Sequence, residues 1–147
     1  MTPETMAAMH GRAFAGQGRG WAAEEFARLL SSTHVFAVHG EHGFVLGRVV
    51  ADDAELLTIV VDPVQASRGH GTALLAEFER AAAERGAIRA VLEVAADNAA
   101  ARALYRRSGY EQIARRRSYY TRPAGPPVDA LIIEKILSAQ VAEGRPT

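Results

Sequence analysis

An apolar run without regular polar alternation, ELLTIVV at residues 55–61, constrains the possible fold more than any other segment of the chain. A strand of this kind is covered on both faces, so it belongs inside a sheet with packed layers on either side. The segment ASRGHGTALL, at residues 66–75, then passes from a glycine-containing loop into a helical pattern. The sequence therefore predicts an α/β protein in which a central strand leads through a glycine loop into a helix.

The other elements follow from hydrophobic periodicity, helix caps and turn residues. Helices are predicted at residues 2–14, 21–30, 72–85 and 98–108, a glycine-rich loop at residues 15–20, and strands at residues 33–39, 43–50, 55–61, 87–95, 110–120 and 129–137. We expect a single domain over residues 1–137 and a frayed tail at residues 138–147. The element order indicates a mostly antiparallel central sheet of about six strands flanked by helices.

Composition excludes several function classes. The 17 basic and 17 acidic residues cancel, which argues against a nucleic-acid binder that works by neutralising phosphates. The absence of cysteine excludes disulfides, thiolate nucleophiles and cysteine-ligated zinc. No apolar stretch approaches about 20 residues, and the N-terminus lacks the order of a signal peptide. We therefore expect a soluble, cytoplasmic protein without membrane contact.

The glycine loop is the first candidate site. Gly69 and Gly71 stand where the predicted helix begins, and the free amides and dipole of a helix N-terminus favour an anion. Glycine has no Cβ to hold a pyrophosphate away from the backbone, and Arg68 can add positive charge. A simple flexible turn is the alternative, because the spacing does not match the Rossmann fingerprint.

Glu93 and Tyr105 are the next candidates. Leu92 and Val94 share one face of a predicted strand, which leaves Glu93 on the other face with Val91. A carboxylate in an apolar strand lies either on a solvated face or in a cleft where it has a function. Tyr105 lies on the inward side of the last predicted helix, a position that suits a core residue as well as a catalytic one.

Taken together, TIVVDPVQASRGHGTALL and LEVAADNAAARALYRRSGY resemble the Gcn5-related N-acetyltransferase (GNAT) family. The most specific part is the order and spacing of RGHG, LEV, DN and ALY…SGY. The downstream segments ARRRSYY and DALIIEKIL are similar to the RimI-like branch, whose members acetylate the N-terminal alanine of a small-subunit ribosomal protein. The resemblance covers residues 21–137.

The resemblance implies a fold in which two central strands splay apart and hold acetyl-CoA, with no metal. The residues that it assigns to acetyl-CoA binding are Ile59, Val60, Val61, Ser67, Arg68, Gly69, His70, Gly71, Thr72 and Asn98. Glu93 matches the general base of the family. Tyr105 matches its general acid and is expected to have an ordinary pKa of about 10. Without cysteine, the amine is expected to attack acetyl-CoA directly in a ternary complex.

The implied activity is acetylation of the N-terminal alanine of a ribosomal protein, whose N-terminal segment would be the partner. The alternatives are another protein N-terminus, a lysine, a small-molecule amine, or a non-catalytic acyl-CoA-binding regulator. We expect no direct nucleic-acid binding and a monomer or weak dimer. Ala66 replaces the Gln or Arg usual in the family, which is expected to weaken side-chain contacts to the phosphates without abolishing binding.

Several further residues are weaker candidates. His39 and His42 flank a predicted hairpin turn, but no third metal ligand is evident. The arginines at residues 115–117 are expected on a solvated strand edge, or in contact with RNA or the ribose phosphate of the cofactor. The tyrosines at residues 119–120 are expected beside the substrate groove. Trp21 is expected to anchor the core.

Overall fold

The computed structural model describes residues 1–15 and 20–137. The predicted order of helices and strands is confirmed. The helices are α1 (Pro3–Ala13), α2 (Ala23–Leu30), α3 (His70–Glu84) and α4 (Ala99–Arg107). The strands are β1 (Val35–His39), β2 (Gly43–Val50), β3 (Asp53–Val61), β4 (Arg89–Ala95), β5 (Glu111–Tyr120) and β6 (Val128–Ile136). The tail predicted at residues 138–147 and the middle of the predicted glycine-rich loop lie outside the described residues. None of the described helices is long and apolar enough to cross a membrane.

Within the described residues, six strands form one sheet in the order β1-β2-β3-β4-β6-β5. Neighbouring strands are antiparallel except for β3 and β4, which run parallel. The β3–β4 pairing joins residues 53–55 to residues 89–91, although β3 continues to Val61 and β4 to Ala95. The two central strands therefore separate after their first residues, which confirms the predicted mostly antiparallel sheet with a splayed strand pair.

Helix α3 covers one face of the sheet. Leu74, Phe78 and Ala82 bury their side chains in the main core. The helix begins at His70, earlier than the predicted residue 72, because Gly69 adopts a left-handed backbone conformation with φ of 83° and serves as the N-cap. The chain therefore enters the helix directly from the glycine loop, and the first turn of α3 belongs to the candidate site.

Helices α1 and α2 cover the opposite face. Their buried residues share a second cluster with alternate residues of β2 and β3, and its fully buried members are Met6, Phe26, Phe44, Leu46 and Val60. The intervening Val45 of β2 belongs to the main core instead. The central strands are therefore covered on both faces, as the run at residues 55–61 predicted.

A buried ion pair joins α3 to β6. Nζ of Lys135 donates to Oε1 of Glu79 at 2.8 Å, and the hydroxyl of Tyr110 donates to Oε2 at 3.1 Å. The side chain of Glu79 is only 7% exposed. Burial, followed by the neighbouring Glu79, raises the pKa of Tyr110. The two donors therefore compensate a carboxylate that would otherwise be costly to bury.

Replacing Lys135 with methionine leaves Glu79 buried without its counter-charge. We expect the free energy of unfolding to fall by about 3 kcal/mol, because removing one partner of a buried ion pair leaves the other charge uncompensated. Urea unfolding measures the loss. The double variant Lys135→Met/Glu79→Gln should recover most of it. An equal loss in both variants would mean that the uncompensated charge of Glu79 is not the cause.

Candidate active site

The separation of β3 and β4 opens a cleft of about 780 Å³. Its walls come from β3, the glycine loop with the first turn of α3, the end of β4, α4, and the end of β5 with the chain that follows it. The predicted site residues that line this cleft are Ile59, Val61, Ser67, Gly69, His70, Gly71, Thr72, Glu93, Asn98 and Tyr105. The fold thus brings candidates from separate segments of the sequence to one place.

The N-terminus of α3 presents backbone amides to the cleft. The N–H groups of residues 70–72 precede the first helical hydrogen bond, which runs from Ala73 N to Gly69 O at 3.1 Å. Side chains cap α1 and α4, through Thr2 and Asn98 respectively. The N-cap of α3 is a glycine and supplies no such group. The first turn of α3 therefore offers hydrogen-bond donors and the positive end of a helix dipole to an anion.

The two loop glycines have different structural roles. Gly69 has a positive φ of 83°, and a Cβ at this residue would meet open space. Gly71 is helical, but its Cβ would lie 3.3 Å from Cδ2 of Leu104 and 3.9 Å from Cγ2 of Val61. Ser67, which is not a glycine, also takes a positive φ of 64°. Gly69 therefore permits the turn, whereas Gly71 permits the close approach of α3 to α4.

Strand β3 offers backbone groups to the cleft. The backbone N–H of Asp62 donates to the carbonyl oxygen of His42 at 2.8 Å, so these two residues form a hydrogen-bonded pair at the end of the β2–β3 ladder. Because hydrogen-bonded and non-hydrogen-bonded pairs alternate along an antiparallel ladder, the amides of Ile59 and Val61 point away from β2. That side is where the pairing of β3 with β4 has already ended. These two amides can therefore serve a ligand in the cleft.

Val60, Arg68 and Asn98, three of the predicted cofactor residues, differ in how they lie relative to the cleft. The side chain of Val60 is buried in the cluster beneath α1 and α2, so only its backbone is near the site. Arg68 is exposed and does not line the cleft. Oδ1 of Asn98 accepts a hydrogen bond from Ala101 N at 3.1 Å, so this side chain caps α4. Its amide nitrogen is the part that remains for a ligand.

Glu93 lines the cleft, although the residue is also exposed to solvent. Its side chain is 32% exposed, and Oε1 lies 3.5 Å from a guanidinium nitrogen of Arg116. The hydroxyl of Tyr120 donates to Oε2 at 3.2 Å. The carboxylate is therefore held by one donor and one cation while remaining accessible from the cleft.

Contacts beyond Glu93 hold Tyr120 in place. Arg122 donates to both carboxylate oxygens of Asp97, at 3.0 Å and 2.8 Å, and its Cζ lies 5.6 Å from the centre of the Tyr120 ring. Burial, followed by the charge of Glu93, raises the pKa of Tyr120 to about 12. The hydroxyl therefore stays protonated and can donate to Glu93. The sequence predicted a tyrosine here but gave no sign of the Arg122–Asp97 pair, which joins segments that are distant along the chain.

Tyr105 combines a buried ring with access to the cleft. The residue is 4% exposed, and its ring packs edge-to-face on Tyr110 with centroids 5.7 Å apart. Burial raises the pKa of Tyr105 above its ordinary value, so the expectation of an unperturbed pKa was wrong. No buried side-chain oxygen in the described residues lacks a hydrogen-bond partner. We infer that the phenol oxygen reaches the open space of the cleft that Tyr105 lines.

Another wall of the cleft is aromatic. His10 stacks against Phe14 and Trp21, with ring centroids 4.5 Å and 5.1 Å apart. Trp21 N donates to Nδ1 of His10 at 3.4 Å, and burial lowers the pKa of this histidine. His10 is therefore a neutral imidazole with its proton on Nε2. Trp21 does pack against the core, as predicted, but it also lines the cleft. A lone histidine on a helix carries no motif, so the sequence did not reveal His10.

His70 contacts another histidine beside the glycine loop. Its ring centroid lies 4.6 Å from that of His42, in an edge-to-face arrangement. Among residues 1–15 and 20–137, no group of three or more His, Cys, Asp or Glu side chains could hold a metal ion. Of the two histidines, only His70 lines the cleft.

Residues 10–110 match the sequence model of the acetyltransferase (GNAT) family. The chain belongs to this family. The matched region contains the glycine loop, Glu93, Asn98 and Tyr105.

Two curated GNAT relatives belong to the RimI-like branch that the sequence resembles. The [ribosomal protein bS18]-alanine N-acetyltransferase of Escherichia coli K12 is 41% identical over 90 residues, which are 61% of this chain and 60% of the relative. The N-alpha-acetyltransferase RimI of Mycobacterium tuberculosis is 38% identical over 109 residues, which are 68% of this chain and 67% of the relative. The chain thus spans about 60% of the length of the Escherichia coli relative.

A comparison with solved structures also finds a member of the RimI-like branch. The crystal structure of the ribosomal-protein-S18-alanine N-acetyltransferase from Escherichia coli matches with a TM-score of 0.78 and 32% sequence identity. The match covers 89% of this chain and 84% of that chain. The predicted fold class and the RimI-like resemblance are therefore confirmed.

Proposed function

We propose that this chain is an N-acetyltransferase that transfers the acetyl group of acetyl-CoA to the N-terminal alanine of a ribosomal protein in the cytoplasm. The observation that carries the proposal is that one cleft contains the helix-terminus anion site, the accessible carboxylate of Glu93 and the phenol of Tyr105. The activities of the relatives, which are alanine N-acetyltransferases of ribosomal protein S18, support the choice of substrate.

The residues present fit acetyl-CoA as the co-substrate. The amides of residues 70–72 would hold the pyrophosphate, and this mode of binding needs no side chain at the position of Ala66. The amides of Ile59 and Val61 would pair with the pantetheine arm, as an additional strand would. A volume of about 780 Å³ suits a ligand of this size.

The described residues can supply the proton transfers and charge stabilisation of the reaction. Bound acetyl-CoA would supply an activated acyl group, whose carbon–sulfur bond breaks as the acceptor nitrogen bonds to the acetyl carbon. Glu93 would accept the proton of the acceptor amine through water, and Tyr105 would donate a proton to the departing thiolate. The Val61 amide would stabilise negative charge on the acetyl oxygen. Exchange with solvent would then restore both side chains.

The chemistry of the acceptor favours an N-terminal amine. An α-amino group has a pKa of about 7.7–8.0, so much of it is neutral near physiological pH. A lysine with a pKa of about 10.4 must lose its proton against roughly 4 kcal/mol at pH 7.4. A single glutamate acting through water is suited to the first task and poorly suited to the second.

A non-catalytic acyl-CoA-binding regulator is the alternative from a different class. It would use the same anion site but would have no use for an accessible Glu93. Release of free CoA, followed with a thiol reagent, separates the two. Peptide-dependent release from acetyl-CoA supports the enzyme, whereas binding without release would identify the regulator.

The Gly71→Val variant tests the cofactor site. We expect its acetyl-CoA affinity, measured by calorimetry, to fall at least about tenfold, because a branched side chain would stand beside the amides of α3. The same side chain would also press on Leu104. The double variant Gly71→Val/Leu104→Ala removes that contact and should remain weak in binding. Restored affinity in the double variant would mean that the loss came from packing and not from the phosphate site.

A further inference from the structure

Arg116 places a cation directly at the proposed base. One guanidinium nitrogen lies 3.5 Å from Oε1 of Glu93, and Cζ lies 5.1 Å from the centre of the Tyr119 ring. The sheet creates this contact, because Arg116 pairs with Ala130 of β6 and Glu93 pairs with Ile132 of the same strand. The arginine therefore reaches over β6 to Glu93, although Arg116 is not among the residues that line the cleft.

Glu93 is the cleft carboxylate that an incoming amine meets, and Arg116 is the cation in contact with it. Arg122 is paired with Asp97, and Arg115 with Asp129 at 3.2 Å. The other ionisable side chains that line the cleft are His10, His70, Tyr105, Arg107, Tyr119 and Tyr120. Among the described residues that line it, Glu93 is the only carboxylate. An ammonium group that approaches Glu93 therefore also approaches the positive charge of Arg116.

We propose that Arg116 makes the site selective for α-amines over lysine side chains, by opposing the approach of a protonated amine to Glu93. This inference rests on the proposed function. An α-amine can enter in its neutral form near neutral pH, since its pKa is about 7.7–8.0. A lysine, with a pKa of about 10.4, enters almost entirely as ammonium. The charge of Arg116 thus penalises the lysine far more than the α-amine, which is selection by repulsion.

The test compares two acceptor peptides of otherwise identical sequence. One begins with a free alanine, and the other has a blocked N-terminus followed by lysine. For Arg116→Gln at low salt, we expect kcat/KM to rise about tenfold with the lysine peptide and much less with the alanine peptide. Arg116→Lys keeps the charge and should keep the wild-type selectivity. Arg117→Gln, which changes the next arginine on β5, is the matched control and should resemble the wild type.

Two further readouts identify the charge as the cause. The selectivity gap between wild type and Arg116→Gln should shrink in about 1 M salt, where the Debye length is about 3 Å. At about pH 6, below the pKa of the α-amine, Arg116→Gln should retain more of its alanine-peptide activity than the wild type does. If Arg116 only supported the structure, its replacement would change neither the salt dependence of the selectivity nor the activity at about pH 6.

The outcomes separate this inference from the proposed function. Equal losses with both peptides in Arg116→Gln would mean that Arg116 only orients Glu93, and an unchanged ratio would mean that its charge does not discriminate. Either result overturns the inference while leaving the transferase in place. Failure of the wild-type protein to acetylate either peptide would overturn the proposed function and, with it, the selectivity.

Discussion

Replacing Glu93 with glutamine is expected to lower kcat/KM for an alanine-terminated peptide by about 10²-fold or more near neutral pH. Glutamine keeps the shape of the side chain and can still accept the hydrogen bond from Tyr120. It cannot accept a proton from the acceptor amine. The loss should therefore shrink as the pH rises above the pKa of the amine, because the acceptor then arrives neutral. A pH profile of kcat/KM for both proteins measures this.

The Glu93→Gln change also removes the ion pair with Arg116, so a matched control is needed. Glu55→Gln provides it, because Glu55 pairs with Arg48 at 2.6 Å on the surface and does not line the cleft. An exposed pair of this kind contributes little to stability, and we expect normal activity. A loss in Glu93→Gln that is independent of pH would assign Glu93 to substrate positioning and would contradict its role as base.

Replacing Tyr105 with phenylalanine is expected to lower turnover by about 10- to 10³-fold with little change in acetyl-CoA affinity. The ring and its packing on Tyr110 remain, and only the oxygen at the cleft is lost. The proton is needed as the carbon–sulfur bond breaks, so the effect belongs to the transition state. Because burial raises the pKa of Tyr105, this group should cause no fall in wild-type turnover below about pH 10.

Tyr110→Phe is the matched control for Tyr105→Phe. It removes the hydroxyl that donates to the buried Glu79, so it should lower the melting temperature while the folded fraction turns over normally. Tyr105→Phe should show the opposite pattern. A sharp drop in the melting temperature of Tyr105→Phe together with normal turnover would make Tyr105 a core residue, and the acid would have to be another group.

Much of the fold was predictable because its signals are local. The apolar run at residues 55–61 predicted a doubly covered strand, and helix α4 ends before Gly109, which takes a positive φ of 96°. The start of α3 was placed too late. Periodicity locates the apolar side of a helix but not the residue at which a left-handed glycine begins it. The cleft residues were predicted from the family resemblance, which rests on the order and spacing of several motifs. No single segment contains the whole site.

The contacts around the proposed base were not predictable in the same way. Arg116 reaches Glu93 across β6, and Arg122 reaches Asp97 from the connection after β5. Both contacts depend on the strand order β4-β6-β5, which places segments distant in sequence side by side. The raised pKa of Tyr105 likewise comes from packing. A sequence pattern can place a tyrosine on the inward side of a helix, but it does not report how deeply the ring is buried.

The most direct test of the central claim is tandem mass spectrometry of an alanine-terminated ribosomal peptide after incubation with this protein and acetyl-CoA. The peptide should carry a free N-terminus and at least one internal lysine. We predict one added acetyl group, mapped to the α-amine of the alanine, with formation that depends on Glu93. Acetylation confined to the lysine, or no transfer by a protein that binds acetyl-CoA, would contradict the proposed activity.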